Sequence, residues 1–164
     1  MVLGHLTVTA AGHHLLRRRV PQVAALPLGL LLVGAYLPDV ADKSTNLLLG
    51  LSGRGYGHSL VIQSALFLPA LLLLRRWRLE VFTLALGAAI HVLEDWVGAV
   101  VALAPLLGPI PMAPRWDWLE SLLHYYRDGG PQVWLELASI AYWLGVAGRA
   151  WSRGREAGPW ERAA

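Results

Sequence analysis

Long uncharged runs broken by clusters of arginine are the feature that most restricts how this chain can fold. Residues 20–38 and 55–74 carry no formal charge. Each is long enough to cross a hydrocarbon core of about 30 Å, which takes roughly 20 helical residues. Leu37-Pro38-Asp39 closes the first run and marks an exit toward the interface, and Arg75-Arg76-Trp77-Arg78 stops the second. A third run begins at Val81, meets Glu94 and Asp95 inside, resumes to about Leu107 and breaks at Gly108-Pro109-Ile110-Pro111. A last one extends from about Pro131 to Gly148 and contains Glu136. Residues 2–16 make a shorter, less apolar helix.

Composition agrees with lipid as the solvent. Of the 164 residues 55% are hydrophobic and 15% charged, with a mean hydropathy of +0.46. A soluble domain carries about 25% charged and roughly 45–50% apolar residues. The expectation is one membrane-embedded domain over residues 1–151, a polar tail over 152–164, and no separate soluble domain. Basic charges follow the first apolar stretch and do not precede it, so the N-terminus does not have the form of a cleaved signal peptide. Cysteine is absent, which leaves nitrogen and oxygen as the only strong metal ligands.

The basic residues sort the runs by side. Arg17, Arg18, Arg19, Arg75, Arg76, Arg78, Arg149, Arg153, Arg155 and Arg162 fall in alternate connections and the tail; Lys43, Arg54, Arg115 and Arg127 fall in the others. The excess of positive charge in cytoplasmic loops then places the N-terminus outside and the C-terminus inside. The fold expected is all-α, a polytopic membrane helical bundle of about five spans, or four if residues 2–16 lie in the interface. Residues 115–128, RWDWLESLLHYYRD, alternate aromatic, apolar and charged side chains at helical spacing. They predict an interfacial helix anchored by Trp116, Trp118, Tyr125 and Tyr126.

Most remaining acids and histidines collect toward the outer side. Asp39 and Asp42 are three apart, which puts both carboxylates on one helical face. Arg54 and His58 are four apart, as are His91 and Asp95, with Glu94 alongside. An HxxxD pair stacks an imidazole over a carboxylate, an arrangement suited to zinc, manganese or iron. Inside an apolar run such groups are costly and point to function. Packed as an antiparallel hairpin, the first two helices would set His5 beside Asp39. His13 and His14, near the arginines, have a structural reading, and Glu120, His124 and Asp128 have that of a solvated face. Glu136 stands inside the last run as a ligand, base or supporting partner.

Together these residues resemble a known family. Gly4-His5-Leu6, Leu37-Pro38-Asp39 followed by Asp42-Lys43, Gly53-Arg54-Gly55-Tyr56-Gly57-His58-Ser59 and His91-x-x-x-Asp95 look like the membrane-bound metal-dependent hydrolases. That family is also called LexA-binding and inner-membrane-associated, and is classed as a domain of unknown function. The resemblance covers roughly residues 4–111. It implies an inner-membrane protein of several helices with a metal site built from His5, Asp39, His58, His91 and Asp95. The order Asp, His, HxxxD is also similar to the zinc-dependent phospholipase C and P1 nuclease group. Two positions depart from the pattern: Gly53 stands where many relatives have His, and Ala41 where many carry the second acid, which here is Asp42.

The function expected is metal-assisted hydrolysis at the non-cytoplasmic side of the inner membrane. One or two divalent ions, zinc first and manganese or iron as alternatives, would be held by His58, His91, Asp95 and Asp39, with His5 and Asp42 serving a second. Arg54 would bind a substrate anion, because a guanidinium forks two hydrogen bonds to phosphate, and Glu94 or Glu136 would act as general base. The bilayer is the expected partner and a lipid or phosphoester the expected substrate; no nucleic acid is expected. The alternatives are a structural or sensory metal site without catalysis, and a small ion or proton transporter.

Overall fold

Each apolar run contributes helix among the described residues, but few become the helix that hydropathy alone draws. The computed structural model describes residues 3–50, 55–95, 99–109 and 118–156. In chain order these give α1 (Leu3–Leu16), α2 (Pro21–Ala24), α3 (Leu28–Leu49), α4 (Leu60–Leu73), α5 (Arg78–Glu94), α6 (Ala99–Ala102), α7 (Trp118–Arg127) and α8 (Pro131–Glu156). Short 3₁₀ turns at Tyr56–His58 and Arg75–Trp77 lead into α4 and α5. There is no strand among the described residues, so the all-α expectation holds.

The first run is broken and then overrun. Pro27 stands in extended backbone as the N-cap of α3 and disfavours helical backbone at Leu26 before it, which leaves α2 as a separate turn. At the other end the helix does not exit at Pro38, as expected, but continues to Leu49 and stops at Gly50 in the left-handed conformation (φ 65°), whose N–H bonds to the Asn46 carbonyl at 3.0 Å. The missing proline N–H is tolerated because one face of the helix is packed throughout. Gly34, Pro38, Asp42 and Asn46, spaced by one turn each, are all buried.

That face meets α5. An added Cβ at Gly34 would run into the Leu84 backbone, and one at Gly87 into the carbonyl of Leu31 and the backbone of Gly34 and Ala35. The two helices therefore touch main chain to main chain, a close approach that only residues without side chains permit. α3 is the centre of the molecule, packed on α5, α1 and the Tyr56–His58 turn, while α1 also lies along α8. At the corner between α4 and α5, Arg78 Nε donates to the Leu71 carbonyl at 3.1 Å, filling one of the acceptors a helix end leaves open. His13, read as structural, bonds through Nε2 to the Leu26 carbonyl at 3.2 Å.

Burial is inverted relative to a water-soluble domain. The buried apolar side chains are mostly small, Ala10, Ala35, Ala88 and Ala104 among them, whereas Leu47, Leu48, Leu49, Leu66, Leu72, Leu73, Trp134 and Leu144 are exposed. His5, Asp42, His58, His91 and Glu136 are buried. No single helix among the described residues is long and apolar enough to cross a membrane; α4 and the segment from Arg75 through α5 meet that requirement only as a pair, bent by 109° at the break between them. α1 and α4 are short at 14 residues each, and α3 and α8, at 22 and 26, carry ionised residues. The third run likewise divides: α5 ends at Glu94 with Asp95 capping it, and α6 is a separate turn.

α8 stays helical to Glu156, through the first residues of the expected 152–164 tail; residues beyond it lie outside those described. Within the stretch expected to be an interfacial helix, residues Trp118–Arg127 form α7. His124 and Asp128 pair at 3.1 Å on its exposed face. Of its four expected aromatic anchors, Trp116 lies outside the described residues.

Candidate metal centre

The site is assembled where three helix ends, the middle of α3 and one turn converge. Residues from the start of α1, the middle of α3, the 3₁₀ turn before α4 and the end of α5 supply it, and the start of α8 supports it. Its foundation is Asp42. That carboxylate is fully buried and accepts the backbone N–H of Gly55 at 2.7 Å, that of Gly57 at 2.6 Å and the ring Nδ1–H of His58 at 2.6 Å. Three donors satisfy a buried charge that would otherwise be costly. Gly57 must be glycine, because a Cβ there would strike the Pro38 carbonyl group. Gln63 Nε2 donates to the Gly57 carbonyl at 2.7 Å, and Ser59 caps α4 through the Ile62 N–H while donating to the Ala104 carbonyl.

With its Nδ1 proton committed to a carboxylate, a neutral His58 ring would offer Nε2 as a bare acceptor. Around that nitrogen lie Asp95 Oδ2 at 3.3 Å, His91 Nε2 at 3.3 Å and Asp39 Oδ1 at 3.9 Å. His91 Nε2 is also 3.9 Å from Asp39 Oδ1. His5 joins from α1, its Nδ1 2.8 Å from Glu94 Oε2 and its Nε2 3.1 Å from Asp95 Oδ1. Its ring packs on His91 with centroids 4.3 Å apart. Asp95 thus faces His5 with one oxygen and His58 with the other. Glu94 does for His5 what Asp42 does for His58, holding Nδ1 and presenting Nε2 inward.

The two groupings His5, His91, Asp95 and Asp39, His58, His91 each bring one donor atom per residue within 4.8 Å of one another. Nitrogen and oxygen ligands about 2.05 Å from a tetrahedral ion stand about 3.3 Å apart along each edge, the spacing of His58 Nε2 from both Asp95 and His91. Lone pairs of two imidazoles and two carboxylates facing one another repel unless a cation or a proton lies among them. Buried His91 Nδ1, Glu94 Oε1 and Thr9 Oγ1 make no hydrogen bond. The donor set therefore fits a divalent ion.

Sequence reasoning placed His5 beside Asp39, but its nitrogens turn to α5. Asp42 sits behind His58, away from the converging atoms. Glu136, buried, accepts from Leu3 N at 2.8 Å and Gly4 N at 2.9 Å, and Tyr126 Oη donates to it at 3.4 Å. Burial and this carboxylate raise the Tyr126 hydroxyl above the usual phenol range. Arg54 and Gly53 lie outside the described residues. Lys43, half exposed, pairs with Asp39 Oδ2 at 2.6 Å and places a cation at the outer edge of the cluster. Gln63 and the close approach at Gly57 were not singled out from the sequence; the glycine-spaced Gly53-Arg54-Gly55-Tyr56-Gly57 stretch was the available signal for the second.

Residues 1–154 match the YdjM inner membrane protein family. The chain belongs to that family. Inner-membrane association accords with the inverted burial and the arginine clusters. No curated protein and no solved structure matches the chain.

Proposed function

We propose that this YdjM-family protein is a metal-dependent hydrolase that acts on a phosphoester or lipid-linked substrate from the outer side of the inner membrane. The observation that supports this reading most is the convergence of His58 Nε2, His91 Nε2 and oxygens of Asp39 and Asp95, with the far nitrogen of His58 held by Asp42. His58, His91 and Asp95 would hold a divalent ion, zinc first and manganese or iron as alternatives, with Asp39 and His5 completing the set. Such an ion supplies a water whose pKa falls toward about 7 and an electrophile for the scissile oxygen. Asp42 and Glu94 fix the tautomers of His58 and His5. Glu94 Oε1, buried and without a hydrogen bond, is the acceptor left for the proton of the attacking water. Lys43 and Arg54 would receive the substrate's negative charge.

Depth supports the substrate class. His5 to Arg17, Arg78 to His91 and Glu136 to Arg149 each span about 18–20 Å of helix at 1.5 Å per residue. With those arginines in the cytoplasmic headgroups, the centre lies in the outer half of a core about 30 Å thick. The helices then alternate across the bilayer as a multi-pass bundle with the N-terminus outside. A site at that depth is reached more readily from the lipid phase than by a wholly water-soluble substrate.

Elemental analysis of the detergent-purified protein beside His91→Ala tests the metal, and a panel of phosphomonoesters, phosphodiesters and phospholipids tests the reaction. A metal retained with an exchangeable water and turnover on one class agrees with the proposal. A closed shell of four protein ligands with no turnover points to a structural metal instead.

A further inference from the structure

We infer that Glu136 is a positioning residue that sets His5 in the centre through the first turn of α1. This rests on the metal-centre reading above and adds a residue more than 130 positions along the chain to it. The first amides of a helix have no partner within the helix. At α1 two of them, those of Leu3 and Gly4, are taken by the two oxygens of this one carboxylate, at 2.8 and 2.9 Å. Glu136 is 2% exposed, so the bonds form in a medium of low dielectric, where a charged acceptor at a helix N-terminus binds most strongly.

The residue after Gly4 is His5, which reaches Glu94 and Asp95 from this same turn. Those two bonds tie that turn to α8. Tyr126 Oη steadies the carboxylate from α7. Both Glu136 oxygens are engaged with main-chain donors, and an engaged carboxylate is a poor base, whereas a clamp needs that engagement. A second bond, Trp143 Nε1 to Thr7 Oγ1 at 3.0 Å, also joins α8 to α1 but lies further from His5. It separates general attachment of α1 from placement of the ligand.

The test is a double-substitution cycle read by zinc affinity, using a competing chelator and the full chain in detergent. Glu136→Ala should weaken zinc binding about tenfold, in the range of lost outer partners of metal ligands, while Trp143→Phe leaves it within about twofold of the native value. Added to His5→Ala, Glu136→Ala should cost almost nothing further, because its target is already gone. Glu136→Gln keeps the shape and one acceptor, and repeats the cycle at smaller amplitude should the alanine variant fail to fold. Native zinc affinity in Glu136→Ala, a fully additive cycle, or an equal loss in Trp143→Phe would each overturn the inference while leaving the metal centre intact. A native chain that takes up no zinc, manganese or iron would overturn both.

Discussion

Asp39 and Asp42, one turn apart on α3, address the two nitrogens of a single ring: Asp42 Oδ2 stands 2.6 Å from His58 Nδ1 and Asp39 Oδ1 3.9 Å from Nε2. Two acids that look equivalent in sequence therefore have different work. One orients the histidine from behind, and the other faces the side on which an ion would bind.

Asp42→Asn tests that division. The amide can present its one oxygen to only part of the three donors, and its NH₂ opposes another. Metal affinity should fall about 10–100-fold while Asp39→Asn, at the open side, also changes turnover at saturating metal. Chelator competition and single-turnover assays distinguish the two.

Gly57→Ala should be among the most damaging small substitutions in the chain. Its Cβ would meet the Pro38 carbonyl group, so the turn must lift and carry His58 with it, at a cost of about 1–3 kcal/mol. Gly50→Ala is the control. Its φ of 65° is strained for alanine, but no atom lies within 4 Å of the added carbon. It should cost about 1 kcal/mol and leave metal binding unchanged. Thermal unfolding in detergent with and without zinc reports both.

Removing metal should destabilise the fold itself, since its ligands come from helices far apart in sequence. Restoring zinc at about one hundred times its dissociation constant should return about 2.7 kcal/mol. A melting temperature indifferent to chelator would count against the centre.

The absence of cysteine makes sidedness directly measurable. Ser44→Cys and Trp77→Cys introduce unique thiols at exposed positions near the centre and in the arginine corner. An impermeant maleimide applied to intact spheroplasts should label position 44 and reach position 77 only after permeabilisation. Labelling of both from outside would refute the bundle orientation.

Much of this was legible from residue type and spacing. Ionisable groups inside apolar runs marked His91 and Asp95, and the helical spacing of Asp39 and Asp42 predicted their shared face. What spacing could not carry was direction across helices. His5 turns to Glu94 and Asp95 at the end of α5, and Gly34 and Gly87 bring α3 and α5 into backbone contact, a packing that hydropathy does not encode. The helix ends were misjudged for a related reason. Pro38 looked like an exit, yet the polar stripe of Asp42 and Asn46 is buried, because Asp42 holds the turn before α4, and the helix runs on. Glu136 was visible as an anomaly, but its two shortest bonds are to main-chain amides, which leave no trace in side-chain pattern.

Asp42 grips the turn before α4 by the backbone amides of Gly55 and Gly57 and by the His58 ring. Tyr56 between them is left pointing outward, 44% exposed. The loop can therefore change what it shows to the surroundings without loosening its hold on His58. On the proposed function, choice of substrate and retention of the ligand are separable there, and position 56 is where a changed substrate preference would come at little cost to the centre.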